Sequence, residues 1–150
     1  MAATIRLTRE FSFEAAHALE GYDGKCREIH GHSYRLFVTV AGHPVTDETN
    51  PKLGMVMDFG DLKRIVDETV VARLDHAFVM RRTERSEALH ATIAGEFRNI
   101  VLVDYQPTCE NMLIDFAERL RNALPDGVRL HSLKLYETAK SFAEWVAEEQ

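Results

Sequence analysis

The stretch Cys26–His32, CREIHGH, brings a thiol, a carboxylate and two imidazoles close together along the chain. His30 and His32 are two residues apart, and in an extended strand such residues point to the same face. A third imidazole, that of His17 in FEAAH, lies upstream. If the two segments pair as a hairpin, the three rings can supply three nitrogen ligands of a Zn²⁺ ion, each at roughly 2.1 Å, with one position open for water or substrate.

Cys26 leaves two interpretations open at this point. Its thiolate is either a fourth ligand of a closed, structural zinc site or a free group beside an open, catalytic one. An H-x-H pair alone is a weak indication of metal binding, because such pairs also occur on ordinary polar surface. The remaining histidines have no partner at ligand spacing, so we expect them to be solvated or hydrogen-bonded: His43, His90 and His131.

Alternating apolar residues indicate the strands that carry these groups. Ile5 to Phe13 shows the period-two pattern of a half-buried strand, with His17 just beyond its end. A second strand follows His32, where Leu36, Val38 and Val40 alternate with other residues. The turn-rich GHPVTDETNPKLG then links two antiparallel strands, the next of which begins briefly at MVMDF. Strands are also predicted at IVLVDY, VRLHSLKLYE and FAEWV.

Apolar residues at helical spacing predict two longer helices. Asp58 caps the first, whose stripe is Leu62, Ile65, Val66, Val70 and Leu74 and which ends near LDH. Thr108 caps the second, which carries Met112, Leu113, Phe116, Ala117 and Leu120 and ends before Pro125 and Gly127. The polar segment between Val79 and Asn99 contains at most a short helix from Ser86. This order of elements favours an α+β fold with an antiparallel sheet.

Length and composition narrow the class of protein. A chain of 150 residues fits one domain, 1–150, with a core that needs no disulfide. The net charge of −6 argues against nucleic acid as a partner. No apolar run is long enough to span a membrane and no signal peptide is evident, so we expect a cytoplasmic protein with Cys26 and Cys109 as separate thiols. No glycine-rich phosphate loop supports a dinucleotide or P-loop protein.

Six motifs in order carry a resemblance to a known family: FSFEAAH, CREIHGH, GMVMDFGDLK, LDH, PTCEN and YET. Together they resemble the group of 6-pyruvoyl tetrahydropterin synthase and 6-carboxytetrahydropterin synthase, which has the tunnelling fold, or T-fold. The resemblance implies a four-stranded antiparallel sheet with two helices on one face, and a homohexamer of two stacked trimers. The segment Val79–Val101 and the tail SFAEWVAEEQ depart from the family pattern.

The resemblance also implies roles for individual residues. The metal ligands of Zn²⁺ would be His17, His30 and His32, in agreement with the spacing argument. Cys26 would be the general base, helped by Asp75 and His76 of LDH. The pterin would be held by Glu137, which accepts two parallel hydrogen bonds from it, and by Thr108 and Glu110. Cys109 stands where a small residue is usual, and we interpret it as a packing residue.

The implied substrate is 7,8-dihydroneopterin triphosphate. The spacing C-x3-H-G-H resembles the bacterial 6-carboxytetrahydropterin synthases of the queuosine pathway, which favours the carboxy product. Alternatives are a 6-pyruvoyl synthase and, because Glu28 offers a second base, side-chain cleavage to 6-hydroxymethyldihydropterin. A non-catalytic zinc or pterin binder would not need the pair Asp75 and His76. Candidates for contact with the triphosphate are Lys25, Arg27, Arg81 and Arg82.

Overall fold

A hairpin of two antiparallel strands is the centre of the computed structural model, which describes residues 3–150. These strands are β1 (Ile5–His17) and β2 (His30–Gly42). Alternation along β1 buries one face: Phe11, Phe13, Ala15 and His17. The predicted end of this strand at Phe13 is wrong. β1 continues to His17 because its last three residues pair on both sides, with β2 and with residues 77–79.

Among the residues that the structure describes, the sheet has six strands, in the order β4 (Ile100–Val103), β3 (Ala77–Arg81), β1, β2, β5 (Val128–Thr138) and β6 (Ser141–Val146). Strands β5 (Val128–Thr138) and β6 (Ser141–Val146) extend the antiparallel pairing beyond β2. Strands β1, β2, β5 and β6 therefore form the predicted four-stranded antiparallel unit. Two further strands, β3 (Ala77–Arg81) and β4 (Ile100–Val103), are added in parallel at the other edge of β1. The α+β class is confirmed, in a mixed sheet of six strands.

Two helices cover the buried face of the sheet, as predicted. Helix α1 (Phe59–Val66) begins at Asp58, whose carboxylate accepts a hydrogen bond from the Gly60 amide. It continues through a π-helical segment, Asp67–Val71, into the short α2 (Ala72–Leu74). Helix α4 (Cys109–Ala123) begins at Thr108. The apolar stripes of both helices pack on the sheet residues in one core, which includes Leu62, Val66, Leu74, Met112, Phe116 and Leu120.

A third helix, α3 (Glu84–Ile93), joins the parallel strands β3 and β4. Thr83 caps it, because its hydroxyl accepts from the Ser86 amide while the Ser86 hydroxyl accepts from the Thr83 amide. Ala77 and Val79 of β3 belong to the core, whereas Phe78 and Met80 point to the other face and line a cavity with Leu89 of α3. Helix α3 therefore lies on the face opposite α1 and α4. The predicted short helix is present and begins two residues earlier, but β3 was not predicted.

The strand predicted at MVMDF is absent from the described residues 3–150. The segment that follows β2 instead leads to α1 through turns, held by hydrogen bonds in both directions between Val45 and residues 54 and 55. Met57 still packs into the core, which accounts for the apolar pattern there. No helix among residues 3–150 has both the length and the apolar character that crossing a membrane requires.

Candidate metal centre and active site

Strand register brings the three predicted histidine ligands together. His17 is paired with His30 across the hairpin, and Ala15 with His32, so all three imidazoles leave the same face of the sheet. Their ring centroids are 4.5 to 5.1 Å apart, with each pair of rings nearly edge to face. Each ring offers a nitrogen within 4.8 Å of the other two. Among residues 3–150, this group of three is what the fold provides for a metal ion, and Cys26 is not a member of it.

Backbone carbonyls determine which ring nitrogens carry protons. His17 Nδ1 lies 2.7 Å from the Pro107 carbonyl oxygen, and His30 Nδ1 lies 2.7 Å from that of Glu28. A carbonyl oxygen only accepts, so both Nδ1 atoms donate and both Nε2 atoms carry a lone pair in the neutral rings. These two Nε2 atoms are 2.9 Å apart. Such lone pairs repel each other unless a cation lies between them.

The His32 ring and the protonation state of His17 also favour a bound cation between the imidazoles. The Nε2 atom of His32 is buried and has no hydrogen-bond partner in the described chain. Burial lowers the pKa of His17 and, similarly, that of His32, so neutral rings are favoured at neutral pH. Three imidazoles, two of them held by carbonyl hydrogen bonds on their far nitrogens, are a donor set that suits a divalent metal of the zinc type. The residues present therefore fit the implied ion.

Glu137 lies beside the imidazoles and does not extend into solvent. Its Oε1 is 3.6 Å from His17 Nε2 and 3.5 Å from His32 Nε2, and its side chain is 30% exposed. It shares strand parity with Leu133 and Leu135 of β5, which are buried in the core. The expectation that this carboxylate points inward is confirmed. Its assignment as the pterin anchor remains a prediction.

Tyr34 forms the floor under the imidazoles, a role that the sequence interpretation missed. Its ring stacks on Phe13 with centroids 5.0 Å apart and meets the His32 ring at 5.5 Å. Burial, followed by the charges of Glu137, Cys109 and Cys26, raises the pKa of Tyr34 far above its usual value. The phenol is therefore neutral, and Glu137, Cys109 and Cys26 all lie near it. Alternation along β2 was the available signal, since Tyr34 follows His32 by two residues.

Cys26 lies in a short 3₁₀ turn, Lys25–Arg27, between the two strands. Its thiol is free and partly buried. The Cys26 carbonyl accepts a hydrogen bond from the Leu19 amide, which fixes the turn against the end of β1. Cys26 thus adjoins the candidate metal centre without belonging to it. Cys109, by contrast, is buried, donates to the Leu135 carbonyl at 3.3 Å and has its pKa raised to about 11 by burial, so it is a packing residue as predicted.

The residues at the start of α4 lie beside the imidazole of His17. Thr108 caps the helix by accepting from the Asn111 amide at 3.2 Å, while the preceding Pro107 holds His17. Glu110 is exposed in the first turn. The predicted pterin contacts of Thr108 and Glu110 remain predictions. Pro107 was missed because a contact through a backbone carbonyl leaves no sign in the residue type.

Asp75 and His76 form an ordered pair. This pair does not lie over the three imidazoles of the same chain. Asp75 Oδ1 accepts from the Glu14 amide at 3.0 Å, which lowers the pKa of this carboxyl, and lies 3.1 Å from His76 Nδ1. His76 has a positive φ of 61°, and its ring is 78% exposed. It lines one shallow depression with Glu14, His32 and Ser33, and a second one with Ala16 and Phe78. The side chains of Glu14, Ala16 and Ser33 leave the face of the sheet opposite His17, His30 and His32. Within a single chain, the sheet therefore lies between this pair and the metal centre.

Sequence comparison gives a consistent family assignment. A family model described as 6-pyruvoyl tetrahydropterin synthase matches residues 6–148. The chain is 35% identical over 142 residues to 6-carboxy-5,6,7,8-tetrahydropterin synthase of Haemophilus influenzae, covering 94% of this chain and 98% of that protein. It is also 35% identical over 132 residues to a dihydroneopterin monophosphate aldolase of Pyrococcus furiosus, covering 88% of this chain and 89% of that one.

Solved structures confirm the fold. An uncharacterised protein of Wolinella succinogenes superposes with a TM-score of 0.74 at 23% identity, covering 97% of this chain and 99% of that one. A 6-pyruvoyl tetrahydropterin synthase of Caenorhabditis elegans superposes with a TM-score of 0.67 at 24% identity, covering 97% and 96%. The chain therefore shares its fold with these proteins.

Proposed function

The chain belongs to the 6-pyruvoyl tetrahydropterin synthase family, and we propose that it is a zinc-dependent lyase forming 6-carboxy-5,6,7,8-tetrahydropterin from 7,8-dihydroneopterin triphosphate. The observation that carries this proposal is the set of three inward imidazole nitrogens, with the free thiol of Cys26 near the Tyr34 ring beneath them. Relatives at 35% and 32% identity bear the name of this synthase, which favours the carboxy product over the pyruvoyl product.

The metal ion in this proposal is Zn²⁺, held by His17, His30 and His32. When bound, it would polarise the hydroxyl and carbonyl oxygens of the substrate side chain and acidify the neighbouring C–H groups. Pro107 and Glu28 orient two of the rings through their carbonyl oxygens, so the ligands are arranged before the metal arrives. The neutral floor of Tyr34 excludes water from below the site.

Cys26 is the proposed general base. Its thiolate takes the proton from the substrate carbon, and Asp75 and His76 assist in transferring it. Because His76 faces away from the metal centre of its own chain, we propose that the pair comes from a second copy in a homo-oligomer, a hexamer of two trimers by family resemblance. Assembly also covers sheet edges such as β4 and β6 that a single chain leaves open.

Glu137 is the proposed anchor of the pterin ring. A carboxylate accepts two parallel hydrogen bonds from the 2-amino group and the adjacent ring nitrogen, which fixes the ring orientation. Its position 3.5 Å from His32 Nε2 sets the pterin against the metal ligands. Thr108 and Glu110, at the start of α4, are the further proposed contacts of the pterin. We place the enzyme in the cytoplasm, where a reducing environment keeps the two thiols free.

A second function has specific support. Glu28 lies two residues from Cys26, and one relative at 35% identity is named as a dihydroneopterin monophosphate aldolase. Base catalysis by Glu28 would give side-chain cleavage to 6-hydroxymethyldihydropterin. Against this, Glu28 lines the cavity near α3 and is exposed.

Product analysis tests the proposal. The zinc-loaded protein is incubated with 7,8-dihydroneopterin triphosphate, and pterin products are separated and identified by mass. We expect 6-carboxy-5,6,7,8-tetrahydropterin as the main product. Formation of 6-pyruvoyl tetrahydropterin or of 6-hydroxymethyldihydropterin instead would select one of the alternative reactions, and binding without turnover would indicate a non-catalytic pterin protein.

A further inference from the structure

A cavity of about 290 Å³ lies on the face of the sheet opposite the metal centre, between β3, α3 and the segment that leads into β2. Its walls are apolar where Phe78, Met80 and Leu89 meet. Three arginines also line it: Arg27, Arg81 and Arg85. They come from the loop before β2, the end of β3 and the first turn of α3. The fold, and not a basic run in the sequence, therefore concentrates this positive charge.

Among the described residues, the three guanidinium groups have no carboxylate partner. Within residues 3–150, none of them takes part in an ion pair or in a side-chain hydrogen bond. The neighbouring Arg82 behaves differently, since it pairs with Glu87 at 3.1 Å and with Asp104 at 3.4 Å. Arg82, a candidate for triphosphate contact by sequence, is therefore already neutralised and does not line the cavity.

Two carboxylates also line the cavity and reduce its positive charge. Glu20 accepts a hydrogen bond from the Thr83 hydroxyl at 2.8 Å, so it is engaged with the start of α3. Glu28 is exposed at the rim. Three cations against two anions leave a local positive excess in a chain of net charge −6. Guanidinium groups bind phosphate oxygens in a bidentate manner, so a ligand with several phosphates matches this arrangement.

We propose that this cavity binds a polyphosphate chain, namely the triphosphate of the substrate. The identity of the ligand rests on the proposed function. Phe78 lines this cavity and also lines, together with His76, a second depression beside it, so the cavity lies on the face that also presents His76. Consider a substrate that is bound at the metal centre of one copy and contacts His76 of a second copy. Such a substrate lies on the face of the second copy's sheet that carries the cavity. The subunit that supplies His76 thus supplies Arg81 and Arg85 as specificity residues for the triphosphate.

Titration calorimetry with inorganic tripolyphosphate tests the site directly on the zinc-loaded protein. We expect binding that Arg81→Gln or Arg85→Gln each weakens about fivefold or more, the loss that follows from removing a charged hydrogen bond at a partly exposed site. Arg82→Gln is the matched control, because it removes the same charge from the adjacent residue and should leave the affinity unchanged. No binding, or equal losses in Arg82→Gln and Arg85→Gln, would overturn the proposal.

Kinetics identify the source of the polyphosphate. Arg85→Gln should raise KM for dihydroneopterin triphosphate without changing the binding affinity for dihydroneopterin, which lacks the phosphates, and tripolyphosphate should compete with the substrate. Arginine-dependent binding without competition would overturn the assignment to the substrate in favour of a separate polyphosphate ligand. If tripolyphosphate binds through the arginines but no pterin is converted, the proposed function fails while the anion site stands; turnover without arginine-dependent binding rejects the site alone.

Discussion

The carbonyl oxygens of Pro107 and Glu28 accept from the Nδ1 atoms of His17 and His30 and leave the Nε2 atoms of both rings free to bind a metal. Metal binding by these rings can be tested directly. We expect about one zinc per chain as purified. The double variant His30→Ala/His32→Ala should lose it, because a single remaining imidazole cannot hold the ion. Elemental analysis measures the loss, with His131→Ala as control, since His131 contacts Ser132 away from the group. Undiminished zinc in the double variant would contradict the ligand assignment.

Cys26 and Glu28 can be separated by their effects on zinc and on product. Cys26→Ala should lower turnover by roughly 10²-fold or more, the usual effect of losing a general base, while zinc content is unchanged because three histidines complete the ligand set. Glu28→Gln should change turnover little. Zinc content and product masses are measured on both variants and on the double variant. Loss of zinc from Cys26→Ala would make the thiol a ligand, and a hydroxymethyl product that requires Glu28 would make the carboxylate a second base.

Glu137→Gln should weaken pterin binding without changing zinc content. The amide keeps the shape of the carboxylate, but it cannot accept both donors of the pterin edge, and the loss of a charged hydrogen bond costs about 1.5–3 kcal/mol. Calorimetric titration with a stable pterin analogue measures the affinity. Equal affinities of the two proteins would remove Glu137 from pterin binding and leave it as a neighbour of the metal ligands.

Among individual residues, alternation and spacing were sufficient to predict some positions and insufficient for others. His30 and His32 had to share a face because a strand has period two. The same alternation predicted that Glu137 points inward with Leu133 and Leu135, although β5 is irregular at this residue. The approach of His17 depended on the hairpin register, which the sequence only made reasonable. The left-handed backbone and exposure of His76 depend on the turn before β3, and its residue type does not encode them.

At the scale of elements, the first turn of α4 has a structural role beside its predicted role with the substrate. Thr108→Ala should lower the free energy of unfolding by about 1 kcal/mol, because the cap to the Asn111 amide is lost. Thr108→Ser should restore it, since the serine hydroxyl can accept the same hydrogen bond. Denaturant unfolding of the zinc-loaded proteins measures both changes. If Thr108→Ala unfolds like the unchanged protein but has a raised KM, the hydroxyl serves the substrate and not the helix.

The sequence predicted most elements but not the edge of the sheet. Helices α1 and α4 carry long apolar stripes and clear caps, and the four antiparallel strands have regular alternation. β3 is five residues long and apolar on both faces, since Val79 enters the core while Met80 lies buried under α3. A short strand without alternation has no period to detect. Helix α3 was weakly predicted because only Ser86 of its residues is buried.

At the scale of the whole molecule, the sheet separates two halves of the proposed chemistry. The imidazoles of His17, His30 and His32 occupy one face, close to Cys26, whereas the exposed His76 and the arginine cavity occupy the other. A single chain therefore has the metal ligands and the base on one side and the assisting pair on the other. If the reaction needs all of these groups, each active site must combine the two faces of two different chains.

Complementation between inactive variants tests this combination. Cys26→Ala and His76→Ala, produced together with different tags and purified as mixed oligomers, should each be impaired alone but regain activity together. With random mixing of equal amounts, about one quarter of the sites would pair an intact Cys26 with an intact His76 from another copy. If both residues served the same site within one chain, every chain would carry one defect and mixing would restore nothing. Recovery near one quarter of the unmodified rate, measured at equal zinc content, therefore supports sites built between copies. Mixed oligomers no more active than the separate variants would place the relay within one chain.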